Sequence, residues 1–386
     1  MTQQIGLLDG LTVLDFSQFL SGPSAALRLA DLGARVIKVE KPEQGDICRK
    51  LYVAKQKIAG DSTIFHAINR NKEGISIDLK SAKGLRNAKV LIQQADVMIQ
   101  NFRPGVIERL GLGYEEIKQL NSKLIYASVS GYGMGNVKLE NKPGQDLLAQ
   151  SISGLTWLNS SCEQPPTPFG LAIADLSASY QLVQGILALL VRRAKTGLGG
   201  KVDVSLLESL MDLQFEVFSN YLNGGEKKPR RCSNANAHAL MAAPYGIYQT
   251  QDGYIAIANT AVNKLGEILG LEELRLMDDS RLWFTEKTFI FSHLQNLLVK
   301  ESSEHWLDIL NTNKIWCSPV LDWPELFATE AFKQLDFFQL VQQGQEEMRT
   351  TRCPISIDGE VTINSKGSPT IGADNARIYA EFGLEE

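Results

Sequence analysis

The chain has 386 residues, 44% of them apolar and 22% charged, with a formal net charge of −5 and a pI of about 5.6. That length is too great for one ordinary core and predicts two domains, or one domain with a large insertion. The composition excludes a disordered or fibrous chain, and there is no basic excess to recruit nucleic acid or an anionic membrane.

The N-terminus "MTQQIGLLDGLTVLDFSQ" lacks a basic start followed by an apolar core and does not read as a signal peptide. "LTVLDFSQ" predicts a short buried strand. "SGPSAALRLADLGA" predicts a helix with Ser21 as N-cap, Pro23 in the first turn and Gly33 as the stop. "RVIKVEKP" is a second strand, ended before Pro42. This strand–helix–strand unit of about 30 residues is the mark of a parallel sheet. It repeats: "GISIDLK" is a strand, "SAKGLRNAKVLIQQA" a helix and "DVMIQNF" a strand. "PGVIERLGLGYEEIKQLNS" is helical in two pieces and "LIYASVSGYG" is another strand, so the first 135 residues predict a doubly wound sheet.

From Pro165 to about Tyr221 the chain reads as mostly helical, except "KVDVSLLESLM", which starts extended. Its longest apolar run, "LVQGILALLV", is too short to span a bilayer. Residues 223–238 are polar, basic and Gly- and Pro-containing, and predict a linker. "YGIYQTQDGYIAIA" predicts a hairpin turning at Asp252-Gly253, followed by helices to about Glu330. The tail "RCPISIDGEVTINSKGSP" is strand-rich. The expected organisation is a large Rossmann-like α/β domain in 1–222, a linker at 223–238, a small α+β domain in 239–330 and a return to the large domain in 331–386.

Five scattered cysteines (Cys48, Cys162, Cys232, Cys317, Cys353) have no CxxC spacing, and the four histidines have no ligand spacing. No metal site or disulfide framework is expected, and a cytoplasmic protein fits. The first strand–helix turn, "DFSQFLSGPSA", has one glycine and is neither GxGxxG nor a P-loop, which argues against nicotinamide or nucleoside triphosphate binding. Lys41, Lys72, Lys80, Arg103 and Arg109 fall near strand ends of one sheet, where such folds bind ligands. Together they suit a polyphosphate-bearing ligand. No GxSxG elbow is present, so catalysis by an ionised carboxylate stays open. Asp175, in "FGLAIADLSASYQLVQGILALLVRR", reads either as the N-cap of an apolar helix or as a nucleophile kept charged by that helix end. Asp146 in "KPGQDLLAQSISG" has the same two readings.

Several stretches together resemble the class III CoA-transferase family, which includes formyl-CoA:oxalate and carnitine CoA-transferases and the related 2-methylacyl-CoA racemases. They are "GLTVLDFSQFLSGPSAALRLADLGARVIKVEKPEQGD", "NRNKEGISIDLKSAKG", "ADVMIQNFRPGVIERLGLGYEEIKQLNSKLIYASVSGYG", "QDLLAQSISG" and "TGLGGKVDVSLLESLM". A weaker match continues through "PYGIYQTQDGYIAIA" and "TRCPISIDGE". The resemblance implies an interlocked homodimer and a CoA site in the large domain, with the nucleotide near "KVEKP" and the pantetheine near "QNFRPG". It implies CoA contacts at Phe19, Leu20, Ser21, Lys41, Ile77, Lys80, Asn101, Phe102 and Arg109. It puts the family's nucleophilic aspartate on Asp175 and implies CoA transfer from an acyl-CoA to a free acid through an aspartyl intermediate. Coenzyme A is then a substrate, with no permanently bound cofactor, and the partners are an acyl-CoA and a carboxylic acid.

Lys41 stands where that family often has arginine, and supplies charge without a bidentate fork. The racemase branch needs an acid–base pair, but Gln145 and the region of Thr260 supply neither a histidine nor a glutamate. Gln145, Asn259 and Thr260 are the expected substrate-pocket positions. "IANTAVNK" has no glycine run of the kind that closes over the site in the oxalate-acting enzymes. Arg230 and Arg231 are candidates to meet an acceptor carboxylate. Trp316 and Trp323 are expected in a core and turn, with a pocket role as the second reading. A racemase, or a CoA-thioester-binding protein without chemistry, are the competing readings.

Overall fold

The computed structural model describes residues 6–52, 55–133, 135, 138–139, 142–159, 161–228, 231, 238 and 240–386. It divides into two compact units: residues 1–152, 171–213 and 337–386, and residues 153–170 with 214–336. The sequence boundary drawn at 222 lies inside the second unit. Half of the expected linker, 223–238, lies outside the described residues.

The first unit is built on a six-stranded sheet of β1 (Thr12–Asp15), β2 (Arg35–Glu40), β3 (Glu73–Ser76), β4 (Val97–Gln100), β5 (Ile125–Ser130) and β6 (Gly200–Ser205). Its order is β3-β2-β1-β4-β5-β6 and every pairing is parallel. β1 and β4 carry apolar residues at consecutive positions, Val13–Leu14 and Val97–Ile99, because both faces of a parallel sheet are covered. Leu14, Met98, Leu91 and Ile92 are fully buried on one such face. The order reverses between β1 and β4, and their carboxyl ends flank a crevice that α/β folds use for ligands.

Helices α1 (Ser21–Asp31), α2 (Ala82–Gln94), α3 (Asp146–Ser153), α4 (Ile173–Thr196) and α5 (Leu206–Leu213) follow this frame. Ser21 is not the cap expected of it. The helix starts at Ser21, and Leu20 occupies the N-cap position without a side-chain bond. α4 is long and apolar enough to cross a bilayer by length and composition, and the run read from sequence as too short is only its middle. Within this unit it packs one face on α1, α5, β5 and β6 and leaves Tyr180 and Val191 exposed.

The second unit has β7 (Gly246–Gln249), β8 (Tyr254–Ile257), α6 (Val262–Leu269), α7 (Lys287–Leu298), α8 (Ser303–Thr312) and β9 (Cys317–Pro319). Its strands form an antiparallel sheet in the order β9-β8-β7. The β7–β8 hairpin closes through Thr250 N–H donating to Gly253 O at 2.9 Å, at the expected Asp252-Gly253 turn. Tyr248 stacks on Phe291 in its core, with ring centroids 4.8 Å apart. Trp316 and Trp323, expected in a core and turn, are 74% and 76% exposed.

The tail returns to the first unit, with its main hairpin at β10 (Phe338–Gln343) and β11 (Glu346–Thr351), upstream of the stretch that the sequence favours. The last helix, α9 (Asn375–Phe382), docks beside β3. Asp374 accepts from Gly74 N and Asn375 from Ser76 N, at 2.7 and 2.9 Å.

Candidate active site

A cavity of about 690 Å³ opens at the carboxyl ends of β1, β4 and β5 in the first unit. Its walls come from the β1–α1 turn (Gln18, Phe19, Ser21), the segment after β4 (Asn101 to Pro104, with Val106 and Arg109) and the segment after β5 (Ser130 to Gly133). Lys142 to Gln145, Asp175 and Leu206 complete it.

The two sides of the switch point are stitched by one side chain. Asn101 accepts from Gln18 N at 2.9 Å and donates to Gln18 O at 2.7 Å. The next residue, Phe19, holds φ of 72°, a left-handed conformation that is unusual for a bulky side chain. Gly22 is the lone glycine of this turn, and its role is close approach. A Cβ there would lie 2.3 Å from the Ser17 side chain. Gly131 and Gly144 meet in the same way across the cavity wall, where a Cβ on either would lie 2.6 Å from the other's Cα.

Asp175 sits in the first turn of α4 and is 8% exposed. The cap reading is corrected here, since it is Asp146 that caps the helix. Asp146 Oδ1 accepts from Ala174 N at 2.7 Å and Asp175 N at 3.3 Å. Asp175 instead lines the cavity together with Ser21 from the start of α1.

Burial is the main force raising the Asp175 pKa, the Asp146 charge adds to it, and the nearby Ser21 opposes it; the value is pushed up to about 6. Sequence reasoning expected the helix end to hold Asp175 charged. Burial outweighs that, yet a group with this pKa remains mostly ionised above pH 7.

The structure brings Phe19, Ser21, Asn101, Phe102, Arg109, Gln145 and Asp175 together around the cavity. Leu20 instead packs on Cys48, Phe65 and Ile68. Ile77 is core, while Lys41 and Lys80 are exposed at the carboxyl ends of β2 and β3, away from the cavity lining. Lys72 is not a ligand cation. It is fully buried, and its Nζ donates to Asp15 Oδ2 at 2.8 Å, Asn69 Oδ1 at 2.8 Å and Pro23 O at 2.9 Å. Desolvation, with Lys38 nearby, pushes its pKa down to about 8.

Arg103 and Arg109 line the cavity and are exposed, as is Lys142, which sequence reasoning passed over. Lys142 lies in a polar loop with no periodicity, and its only signal is the neighbouring Pro-Gly. Asn259 and Thr260 belong to the second unit, just after β8. Arg231 donates to Asn159 O at 3.2 Å and lies over the Trp157 ring; Arg230 is outside the described residues. Among the described residues no cluster of His, Cys, Asp and Glu has metal-binding geometry.

Fold and site together define an α/β protein with a ligand cavity, three cations and a buried carboxylate at its switch point. The chain belongs to CoA-transferase family III, whose model matches residues 8–375. It is a CoA-transferase, and CoA thioesters are the substrates of such enzymes. It is 32% identical over 401 residues to the acetyl-CoA:oxalate CoA-transferase of Acetobacter aceti, a match covering 99% of this chain and 97% of that protein. It is 31% identical over 329 residues to the succinyl-CoA:glutarate CoA-transferase of Homo sapiens, covering 83% and 73%. The crystal structure of a CAIB/BAIF family protein from Brucella suis superposes with a TM-score of 0.83 at 30% identity, covering 98% of this chain and 100% of that one.

Proposed function

We propose that this enzyme moves coenzyme A from an acyl-CoA to a free carboxylic acid through a covalent intermediate on Asp175. The observation that carries the reading is the Asp175 carboxylate, buried at the edge of a cavity that Arg103, Arg109 and Lys142 also line. A carboxylate oxygen of Asp175 attacks the thioester carbonyl and expels CoA thiolate, giving a mixed anhydride. The thiolate attacks the aspartyl carbonyl and releases the donor acid, leaving an aspartyl-CoA thioester. The acceptor carboxylate attacks that carbonyl and expels the thiolate again. The thiolate then takes the acceptor acyl group, and Asp175 is regenerated as a carboxylate. Each step exchanges one leaving group for one nucleophile, so the sequence needs no metal or redox partner. It does need water kept out.

In this reading the CoA chain runs along Phe19, Ser21, Asn101, Phe102 and Arg109, and its nucleotide end extends toward Lys41, Ile77 and Lys80. Gln145, which lines the cavity, has no proton to exchange at neutral pH, so racemisation at the α-carbon is not favoured. The names of the relatives, with oxalate and glutarate as acceptors, support small dicarboxylic acids as the acceptor class. A homodimer is part of the proposal. It is supported by the apolar side chains that the single chain leaves exposed on α3 to α5, among them Leu147 (51%), Val191 (60%) and Leu213 (52%). The proposal keeps the cytoplasmic location expected from the scattered cysteines.

The test is mass spectrometry after incubation with a panel of acyl-CoAs, which is expected to find an adduct on the peptide carrying Asp175. Full turnover by Asp175→Ala would sink the mechanism.

A further inference from the structure

A second cavity, of about 400 Å³, lies in the first unit at the other end of its sheet. Leu124, Tyr126 and Gly200 line it, at the starts of β5 and β6, whereas the candidate active site opens at the carboxyl ends of the strands. Among the described residues the two cavities share no lining side chain. The volume falls in the range of small-molecule sites, about 300–1,000 Å³.

Its floor is apolar. The Tyr114 and Tyr126 rings meet edge to face with centroids 5.7 Å apart, and the Tyr126 hydroxyl is anchored by donating to Leu112 O at 3.0 Å. Ile117 and Leu124 are buried and line the same cavity, as does Leu198, which is 57% exposed. Its rim is cationic. Lys118 Nζ lies 5.9 Å from the centre of the Tyr114 ring, and Arg192 Nη2 donates to Gly199 O. The glycines make room for this, since a Cβ on Gly200 would strike the Arg192 guanidinium. The guanidinium is therefore held in place by a neutral carbonyl. Arg193, the next residue, is paired with Asp96 at 2.9 Å, but among the described residues no carboxylate lies within ion-pair distance of Arg192 or Lys118.

The helix Tyr114–Leu120 and α4 both end at this cavity. Cations near helix C-termini ordinarily answer the negative end of the dipole, which accounts for the two charges but not for the apolar cavity beneath them. The same helix ends set the charge that a ligand can carry. They disfavour a polyphosphate, while a single carboxylate is matched by two cations, one of them a planar fork suited to it. We propose that this cavity binds a free carboxylic acid with an apolar body, its carboxylate at Arg192 and Lys118 and its chain on the two tyrosine rings. An enzyme that moves CoA between acids works among such ligands. The site is independent of Asp175 and of any intermediate formed there.

The test is photolabelling of the full-length protein at low salt with a decanoic acid that carries a diazirine, read by peptide mass spectrometry. Label is expected on residues 114–126 and 192–200, in wild type and in Asp175→Asn alike, and excess octanoate is expected to remove it while octanol is not. By calorimetry on Asp175→Asn, adding Arg192→Gln or Lys118→Gln is expected to weaken octanoate binding about fivefold. If the Arg192→Gln protein does not fold, Lys118→Gln, at an exposed side chain, carries the comparison. Label confined to other peptides, equal competition by octanol, unchanged affinity in the folded variants, or a pocket left unlabelled because a second copy of the chain covers it would overturn the proposal.

Discussion

Asp146 Oδ1 takes the backbone N–H of Asp175 at 3.3 Å and that of Ala174 at 2.7 Å, so one carboxylate caps the helix that carries another. The arrangement fixes Asp175 in register and also places a like charge near it. The cap stabilises the start of α4, while the charge makes Asp175 a stronger base than an ordinary aspartate.

Asp146→Asn separates these two effects, because its side-chain oxygen still accepts from the helix. The Asp175 pKa, raised to about 6 by burial first and by Asp146 second, is expected to fall in the variant. Activity that requires ionised Asp175 rises with pH through the folded pKa, so the acid limb of kcat/KM should move to lower pH by about half a unit or more. A pH profile from 4.5 to 8 with one acyl-CoA and one acceptor measures it. A limb that stays in place would mean that Asp146 acts as a cap alone.

Asp175 should also cost stability. Its folded pKa of about 6 lies above the ordinary value of 3.8, so the folded state holds the proton more tightly than the unfolded chain. The contribution is favourable below pH 3.8 and is lost as pH rises through 6. Asp175→Asn removes that loss and is expected to be stabler than wild type at pH 7.5, by on the order of 2 kcal/mol, with little difference at pH 4. Thermal melts at the two pH values make the comparison. A variant that is no stabler at pH 7.5 would show that the carboxylate is not strained by its burial.

The cations of the cavity should act on binding rather than on chemistry. Arg109→Ala and Lys142→Ala are each expected to raise KM for acyl-CoA about tenfold at low salt, with kcat changed less than about threefold. Added salt should shrink the difference, because exposed charges are screened. Lys72→Met makes a contrast. Lys72 is fully buried against Asp15, so its loss leaves an uncompensated carboxylate and should lower the melting temperature rather than selectively raise KM. Steady-state kinetics at two salt concentrations, with melts of the same three variants, distinguish the two behaviours.

Much of the first unit is legible in the chain. The five strands expected in the first 135 residues all form, because near-continuous apolar runs between turn signals have no other stable use in a parallel sheet. Asp175, Phe19, Asn101, Phe102 and Arg109 reach the cavity because they sit at strand or helix ends on one edge of that sheet. The role of Lys72 is not legible in the sequence, because a lysine beside a strand looks alike whether it faces solvent or a buried aspartate. Nor is that of Ser21, because a serine at a helix start ordinarily caps it.

The order of apolar and turn residues determined the strands, the helices and the switch point, since those follow from local periodicity. Only the tertiary structure decided what each polar group does, because a carboxylate's role depends on which distant atoms reach it. It took the fold to set Asp146 on the helix of Asp175 and to bring Ser21 and Asp175 to one cavity. The fold also turned Lys38, Asp46, Asp15 and Lys72 into one buried network under the β1–α1 turn.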